Sequence, residues 1–209
     1  MSANHGHAPT KRRIDYELIE SFIPDGVRVL DLGCGDGQLM QQLVSNKRCW
    51  VRGIDINEQA VRECIRRGLP VYHGDMMEGM SFYREGYFDV VVLSQTLQQT
   101  FNPPKVIHEM LRVGRTAIIS FPNFGYWLTR WQLLSTGRMP KHDLLPYEWY
   151  DTPNVHLCTV TDFRILCAQE GLRLTREVFL VPPSRRIGPW GANWRAGLAI
   201  CQLERAAGR

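Results

Sequence analysis

Val27-Arg28-Val29-Leu30-Asp31-Leu32-Gly33-Cys34-Gly35-Asp36-Gly37 is the stretch on which the reading of this 209-residue chain turns. Val27 to Leu32 reads as a buried strand. Gly33 to Gly37 is a glycine loop. Leu39, Met40, Leu43 and Val44 then recur at helical spacing. A strand, a glycine loop and a helix N-terminus together make a cradle for a nucleotide-like ligand. Glycine lets the backbone turn tightly and approach the ligand closely. A GxGxG string alone is a weak signal, so its surroundings decide.

Upstream, Ile14, Leu18, Ile19 and Phe22 share one helical face, and Pro24-Asp25-Gly26 breaks the helix. Downstream, Trp50 to Ile56 reads as a second strand. Asn57 is placed to N-cap a helix with apolar face Ala60, Val61, Cys64 and Ile65, which Gly68-Leu69-Pro70 ends. Val71-Tyr72 leads into His73-Gly74-Asp75. Phe88 to Leu93 is apolar without alternation, the mark of a strand covered on both faces. A helix over Val106–Val113 and a strand over Thr116–Phe121 follow. This rhythm predicts an α/β, Rossmann-like fold: a mostly parallel sheet with helices on both faces.

The rhythm stops at Pro122. A lid-like, irregular insertion runs from about 122 to 157. Thr159 and Asp162 then open a helix containing Phe163, Ile165, Leu166 and Ala168, which Gly171 ends. Leu172–Val181 and Ala196–Leu203 read as closing strands, separated by a loop over Pro182–Arg195. The expected organisation is a flexible 1–13, a single domain over 14–205 and a flexible 206–209.

Apolar residues are 44% of the chain and charged residues 22%, which excludes disorder, collagen and coiled coil as the main architecture. The net charge of +4 is too small to argue for nucleic acid. The N-terminus has no apolar signal core, and no apolar run approaches the roughly 18 residues of a membrane helix. The six cysteines, Cys34, Cys49, Cys64, Cys158, Cys167 and Cys201, show no CxxC spacing. They read as reduced thiols of a cytoplasmic protein with no metal site.

Asp31 ends the first strand and Asp36 sits inside the loop. Two carboxylates there repel a pyrophosphate, and no Lys-Ser/Thr follows to make a P-loop. An acidic loop suits a ligand with a cationic end. S-adenosylmethionine (SAM) carries an ammonium and a sulfonium and no phosphate. Asp55, at the second strand's end, is placed to accept from both ribose hydroxyls. Asp75, after the third strand, is placed to accept from the adenine amine, and Met76 to pack on the base. Each aspartate alone also reads as a turn or capping residue. Three successive strand ends beside one glycine loop favour the ligand.

Val29-Leu30-Asp31-Leu32-Gly33-Cys34-Gly35-Asp36-Gly37, Gly53-Ile54-Asp55, Gly74-Asp75 and Phe88-Asp89-Val90-Val91 resemble the motifs of class I SAM-dependent methyltransferases. The resemblance implies a seven-stranded sheet whose last strand is inserted antiparallel. It also implies a SAM or S-adenosylhomocysteine site built from Asp31, Gly33, Cys34, Gly35, Asp36, Gly37, Asp55, Ile56, Asp75, Met76 and Ser94. A narrower resemblance rests on Arg13-Ile14-Asp15-Tyr16, Leu97-Gln98-Gln99-Thr100, Ser120-Phe121-Pro122-Asn123-Phe124 and Trp127 through Trp149. These are similar to the methionine biosynthesis protein MetW family. That family implies a partner, the homoserine O-acyltransferase MetX, whose activity it supports or regulates. The alternative expectation is an active methyltransferase on a small-molecule acceptor, with an RNA acceptor behind it.

Methyl transfer from a sulfonium needs mostly positioning, and a base helps when the acceptor is an alcohol or acid. The residues after the fourth strand, Ser94-Gln95-Thr96-Leu97-Gln98-Gln99, offer hydroxyls and amides and no base. Gln98 and Gln99 fit either ligand or backbone bonding. Asn102-Pro103-Pro104-Lys105 is similar in part to the NPPY motif of amino-group methyltransferases. It falls too late after the strand and lacks the aromatic, so it reads as a turn near a helix start. His108 reads as a surface residue, and His142 and His156 as structural rather than catalytic. No catalytic residue is assigned.

Residues 121–150 hold eight of the chain's 21 aromatics, at the ligand side of the sheet. Trp127 and Trp131 share a helix face. The segment reads as a lid or docking surface, although part of that face must pack on the sheet. Arg130, Arg138 and Lys141 interleave with the rings, but without a nucleic-acid motif a base-stacking role is not favoured.

Overall fold

Val29, Leu30 and Leu32 are fully buried because the strand they form lies in the middle of an eight-stranded sheet. The computed structural model describes residues 14–182 and 185–206. The termini expected to be flexible lie outside the described residues, apart from Ala206. The strands are β1 (Arg28–Leu32), β2 (Trp50–Asp55), β3 (Val71–His73), β4 (Phe88–Ser94), β5 (Gly114–Pro122), β6 (Leu172–Val181), β7 (Arg185–Ile187) and β8 (Leu198–Arg205). Their order is β3-β2-β1-β4-β5-β8-β6-β7. The first five pair in parallel, and β8 is inserted antiparallel between β5 and β6. Seven strands thus follow the expected plan. The eighth corrects it: β7 folds back on β6 as an antiparallel edge, within a segment read as loop.

The helices are α1 (Ile14–Phe22), α2 (Gln38–Lys47), α3 (Glu58–Arg66), α4 (Met76–Ser81), α5 (Pro103–Val113), α6 (Trp127–Thr136), α7 (Val160–Gln169) and α8 (Ala192–Arg195). They cover both faces. On one, Val91 and Leu93 of β4 meet Ile107 and Met110 of α5 and Phe163 of α7. On the other, Val90 and Val92 meet Ile19 of α1 and Leu39, Met40 and Leu43 of α2. Successive residues of a strand point to opposite faces, so a strand clad on both must be apolar throughout.

Several boundaries follow from local chemistry. Asn57 Oδ1 accepts from the Ala60 N–H at 3.0 Å, capping α3. Asn102 Oδ1 accepts from the Lys105 N–H at 3.1 Å, with proline opening α5. Thr159 Oγ1 accepts from the Asp162 N–H at 3.1 Å. α4 and α8 are helices that periodicity does not show, since six and four residues are too short for a repeat. The insertion is not wholly irregular: it opens with α6, and β5 delivers it at the sheet's carboxyl edge. Among the described residues no helix is long and apolar enough to cross a membrane.

Candidate functional site

β1 is flanked by β2 on one side and β4 on the other, so the crossovers leave it in opposite directions. Such a switch point opens a crevice beyond the carboxyl ends of the strands. Here it is a cavity of about 570 Å³, within the usual range for a small-molecule site. Its wall comes from Gly33 after β1, Ile54–Ile56 at the end of β2, Gly74–Met77 after β3, and Thr96, Gln99–Asn102, Lys105 and Val106 after β4.

The glycine loop is shaped by contacts behind this wall. Gly33 has φ +66°, and a Cβ there would lie 2.8 Å from the Thr96 hydroxyl oxygen. Gly37 has φ +76°, and a Cβ would lie 2.6 Å from Leu69 Cδ1. A side chain at either position meets both left-handed strain and a clash. The Gly35 N–H donates to Asp55 Oδ2 at 2.7 Å, and the Asn57 N–H donates to Asp55 Oδ1 at 2.8 Å. Asp55 therefore ties the loop after β1 to the turn after β2, with its carboxylate on the cavity wall.

The other predicted residues divide. Asp75 lines the cavity and also N-caps α4, with Oδ1 accepting from the Met77 N–H at 2.7 Å. Ile56 and Met76 line it too, and Ile56 is 73% exposed with nothing packed over it. Asp31 is 2% exposed and lies beneath the loop. Asp36 is turned from the cavity: its Oδ2 accepts from Arg67 at 2.9 Å, and its Oδ1 from the Gln38 N–H at 3.3 Å. Its charge is thus matched within the protein, and Asp36 does not make the loop acidic toward the cavity.

Cys34 is buried, with its sulfur 4.0 Å from that of Cys64. The Cys64 thiol donates to the Gly35 carbonyl at 3.2 Å. The bond with Cys64 and then burial hold the Cys34 thiol far above its ordinary range, so it stays protonated. Gly35, Gly37 and Ser94 shape the site from outside the cavity wall. The Ser94 hydroxyl lies 3.2 Å from that of Ser120.

Of the wall residues after Ser94, the sequence singles out Gln99 alone as fitting a ligand. Thr96, Thr100, Phe101, Asn102, Lys105, Val106 and, after β3, Met77 complete the cavity. The rule that served the first three strand ends applies to the fourth, and would have found the segment after β4. Phe101 is 89% exposed, an aromatic on the wall of an open cavity. Just before it, Gln95 is held at φ +52°, and its Nε2 donates to buried Asp15 at 2.6 Å, fastening α1 to the end of β4.

Among the described residues, the histidines lie off the cavity wall. His142 Nε2 is 2.9 Å from the Thr129 hydroxyl, and burial holds His142 below its ordinary pKa against the pull of Asp143. His156 Nε2 donates to the Phe101 carbonyl at 3.3 Å. His108 sits 2.7 Å from Glu170 at the surface. The ionisable side chains of the wall are Asp55, Asp75 and Lys105.

Comparison with known proteins places this site in a family. The model of the methionine biosynthesis protein MetW matches residues 13–203. A bifunctional methionine biosynthesis protein MetXA/MetW of Rhodopirellula baltica is 37% identical over 203 residues, covering 92% of this chain and 33% of its own length. A ubiquinone biosynthesis O-methyltransferase of Xanthomonas campestris is 28% identical over 125 residues, 56% of this chain and 52% of its own. The chain thus spans between a third and about half of these relatives. A SAM-dependent methyltransferase structure from Mesorhizobium loti superposes with a TM-score of 0.65 at 16% identity, covering 93% of this chain and 99% of that one, a likeness of fold. With a model match over nearly the whole chain and a relative at this identity, the chain belongs to the methionine biosynthesis protein MetW family.

Proposed function

We propose that the chain binds SAM or S-adenosylhomocysteine in this cavity and acts as an accessory, regulatory subunit of the homoserine O-acyltransferase MetX. The observation that carries the ligand half is Asp55. It stands at the ribose position of a switch-point cavity, pre-positioned by two backbone donors. Each carboxylate oxygen accepts more than one bond, so these donors leave capacity for ribose hydroxyls. Ile56, Met76 and Phe101 supply apolar and aromatic surface for an adenine, and Asp75 an acceptor for its amine. Asp31, Gly33, Cys34, Gly35, Gly37 and Ser94 form or support the loops under the methionine end. Asp36 supports the loop through Arg67 and is not assigned to the ligand.

The partner half is supported by the fused relative, whose printed name joins MetXA to MetW in one polypeptide. SAM lies downstream of methionine, so a SAM-binding subunit reports pathway output to an early step. The wall holds no imidazole or phenol, and its carboxylates, Asp55 and Asp75, already accept backbone N–H bonds. This favours a reporting role over methyl transfer to an alcohol or acid. The test is co-purification of the chain with the acyltransferase, with acylation rates measured with and without it. A stable complex with an altered rate is expected, and no complex and no change of rate would remove the reading.

Methyl transfer to a small molecule is the second reading, favoured by the likeness to an O-methyltransferase. Labelled SAM incubated with a metabolite extract decides it: a labelled product supports it and none counts against it.

A further inference from the structure

We propose that the exposed aromatic ridge built on α6 is the face on which the acyltransferase docks. This rests on the partner assigned above. α6 reads Trp-Leu-Thr-Arg-Trp-Gln-Leu-Leu-Ser-Thr, with Arg130 as its one charge and Thr129 as its buried residue. Arg130 is already committed: its Nε donates to the Gly125 carbonyl at 2.6 Å, and its guanidinium lies 5.3 Å from the Trp194 ring centre. Gln132 bonds both the carbonyl and the N–H of Lys141 at 3.2 Å, and Lys141 pairs with Glu148 at 2.6 Å. α6 thus meets Trp194 through Arg130 and, by way of Lys141, reaches Glu148, next to the Trp149–Tyr150 ring pair.

The ridge is apolar and open. Trp131 is 60% exposed, Leu134 82%, Trp149 72%, Tyr150 72% and Trp194 53%. At roughly 200 Å² for a large side chain, their open surface is on the order of 700 Å². That is about one partner's share of a standard protein interface, and more than a soluble monomer usually shows. Tryptophan, tyrosine and leucine beside an arginine that is already bonded is the composition of an interface core. The paired state of Arg130 and Lys141 speaks against a phosphate backbone as the occupant.

The fused relative indicates the occupant. A covalent link keeps two modules together at high effective concentration. The ridge has the size that a contact between two such modules requires.

The experiment measures binding of purified homoserine O-acyltransferase to the full chain and to Trp131→Ala/Leu134→Ala. Ile65→Ala, an exposed apolar residue of α3, serves as control. The ridge variant is expected to bind at least 30-fold more weakly and the control within twofold of wild type. Melting temperature and SAM affinity report that the ridge variant is folded. Wild-type binding with an equally tight ridge variant overturns the docking face and leaves the partner standing. Absence of wild-type binding overturns both. Unchanged acyltransferase affinity with loss of self-association in sedimentation assigns the ridge to a second copy instead, and also overturns the proposal.

Discussion

Asp55 does two jobs at one position: it clamps the glycine loop through the Gly35 N–H and presents its carboxylate to the cavity. Asp55→Ala removes charge-assisted bonds, each worth about 1.5–3 kcal/mol. We expect SAM affinity by calorimetry to fall at least tenfold, with some loss of stability from the freed loop; unchanged affinity would remove Asp55 from the site. Gly33 gives a separable test. Gly33→Ala adds left-handed strain and a clash with Thr96, for an expected loss of about 1–3 kcal/mol in denaturant unfolding. In the double variant with Thr96→Ala the clash is relieved and the strain remains, so the two losses should not add. Full additivity would mean the contact is not made. Asp55 and Gly33 were readable from sequence because strand ends and glycine loops have fixed geometry. That Asp36 is turned from the cavity was not, because it depends on Arg67, 31 residues away at the end of α3.

At the scale of elements, the sheet's switch point is held at its other end by a clamp between β1 and β4. Asp89 Oδ2 accepts from the Arg28 N–H at 2.9 Å and from its Nε at 3.4 Å. Burial pushes the Asp89 carboxyl up, but the bonds from Arg28 outweigh it and hold the group below the usual carboxylate range. A depressed folded value means the clamp's stability is fully present above the unfolded value of about 3.9 and is lost as pH falls through the folded value. Asp89→Asn should therefore cost about 1 kcal/mol at pH 7, and its deficit should shrink below about pH 4. A deficit constant with pH would show that the carboxylate charge is not what stabilises.

The second link joins the insertion to the cavity. The N–H groups of Val155 and His156 donate to the Gln98 carbonyl at 2.8 and 3.0 Å, and His156 holds the Phe101 carbonyl. His156→Ala should leave SAM affinity within about threefold while reducing the effect of SAM on acyltransferase affinity. The reverse pattern would place His156 in the ligand site itself. Strands and long helices were legible because their apolar faces repeat. β7, α4 and α8 were not, being three, six and four residues long. After β4 the sequence offers Gln99 but not its neighbours, because Thr96 to Asn102 carries no charge and no repeat to mark the wall.

In the whole molecule, the cavity opens beyond the carboxyl ends of β1 to β4, and most of the aromatic ridge lies on the chain leaving the carboxyl end of β5, with Trp194 added from α8. The concentration of aromatics in residues 121–150 was visible in the sequence, but their exposure was not. Amphipathic patterning says that a helix has an apolar face, and only the fold shows that the Trp131–Leu134 face of α6 meets solvent. The proposed function requires ligand and partner binding to be coupled, each changing the other's affinity by the same factor. The most direct measurement is the dissociation constant of the acyltransferase complex, taken in the absence of SAM and at saturating SAM. At least a fivefold difference is expected, in whichever direction regulation runs, and it should vanish in Asp55→Ala. Equal affinity under both conditions, or no complex in either, would contradict a SAM-responsive subunit.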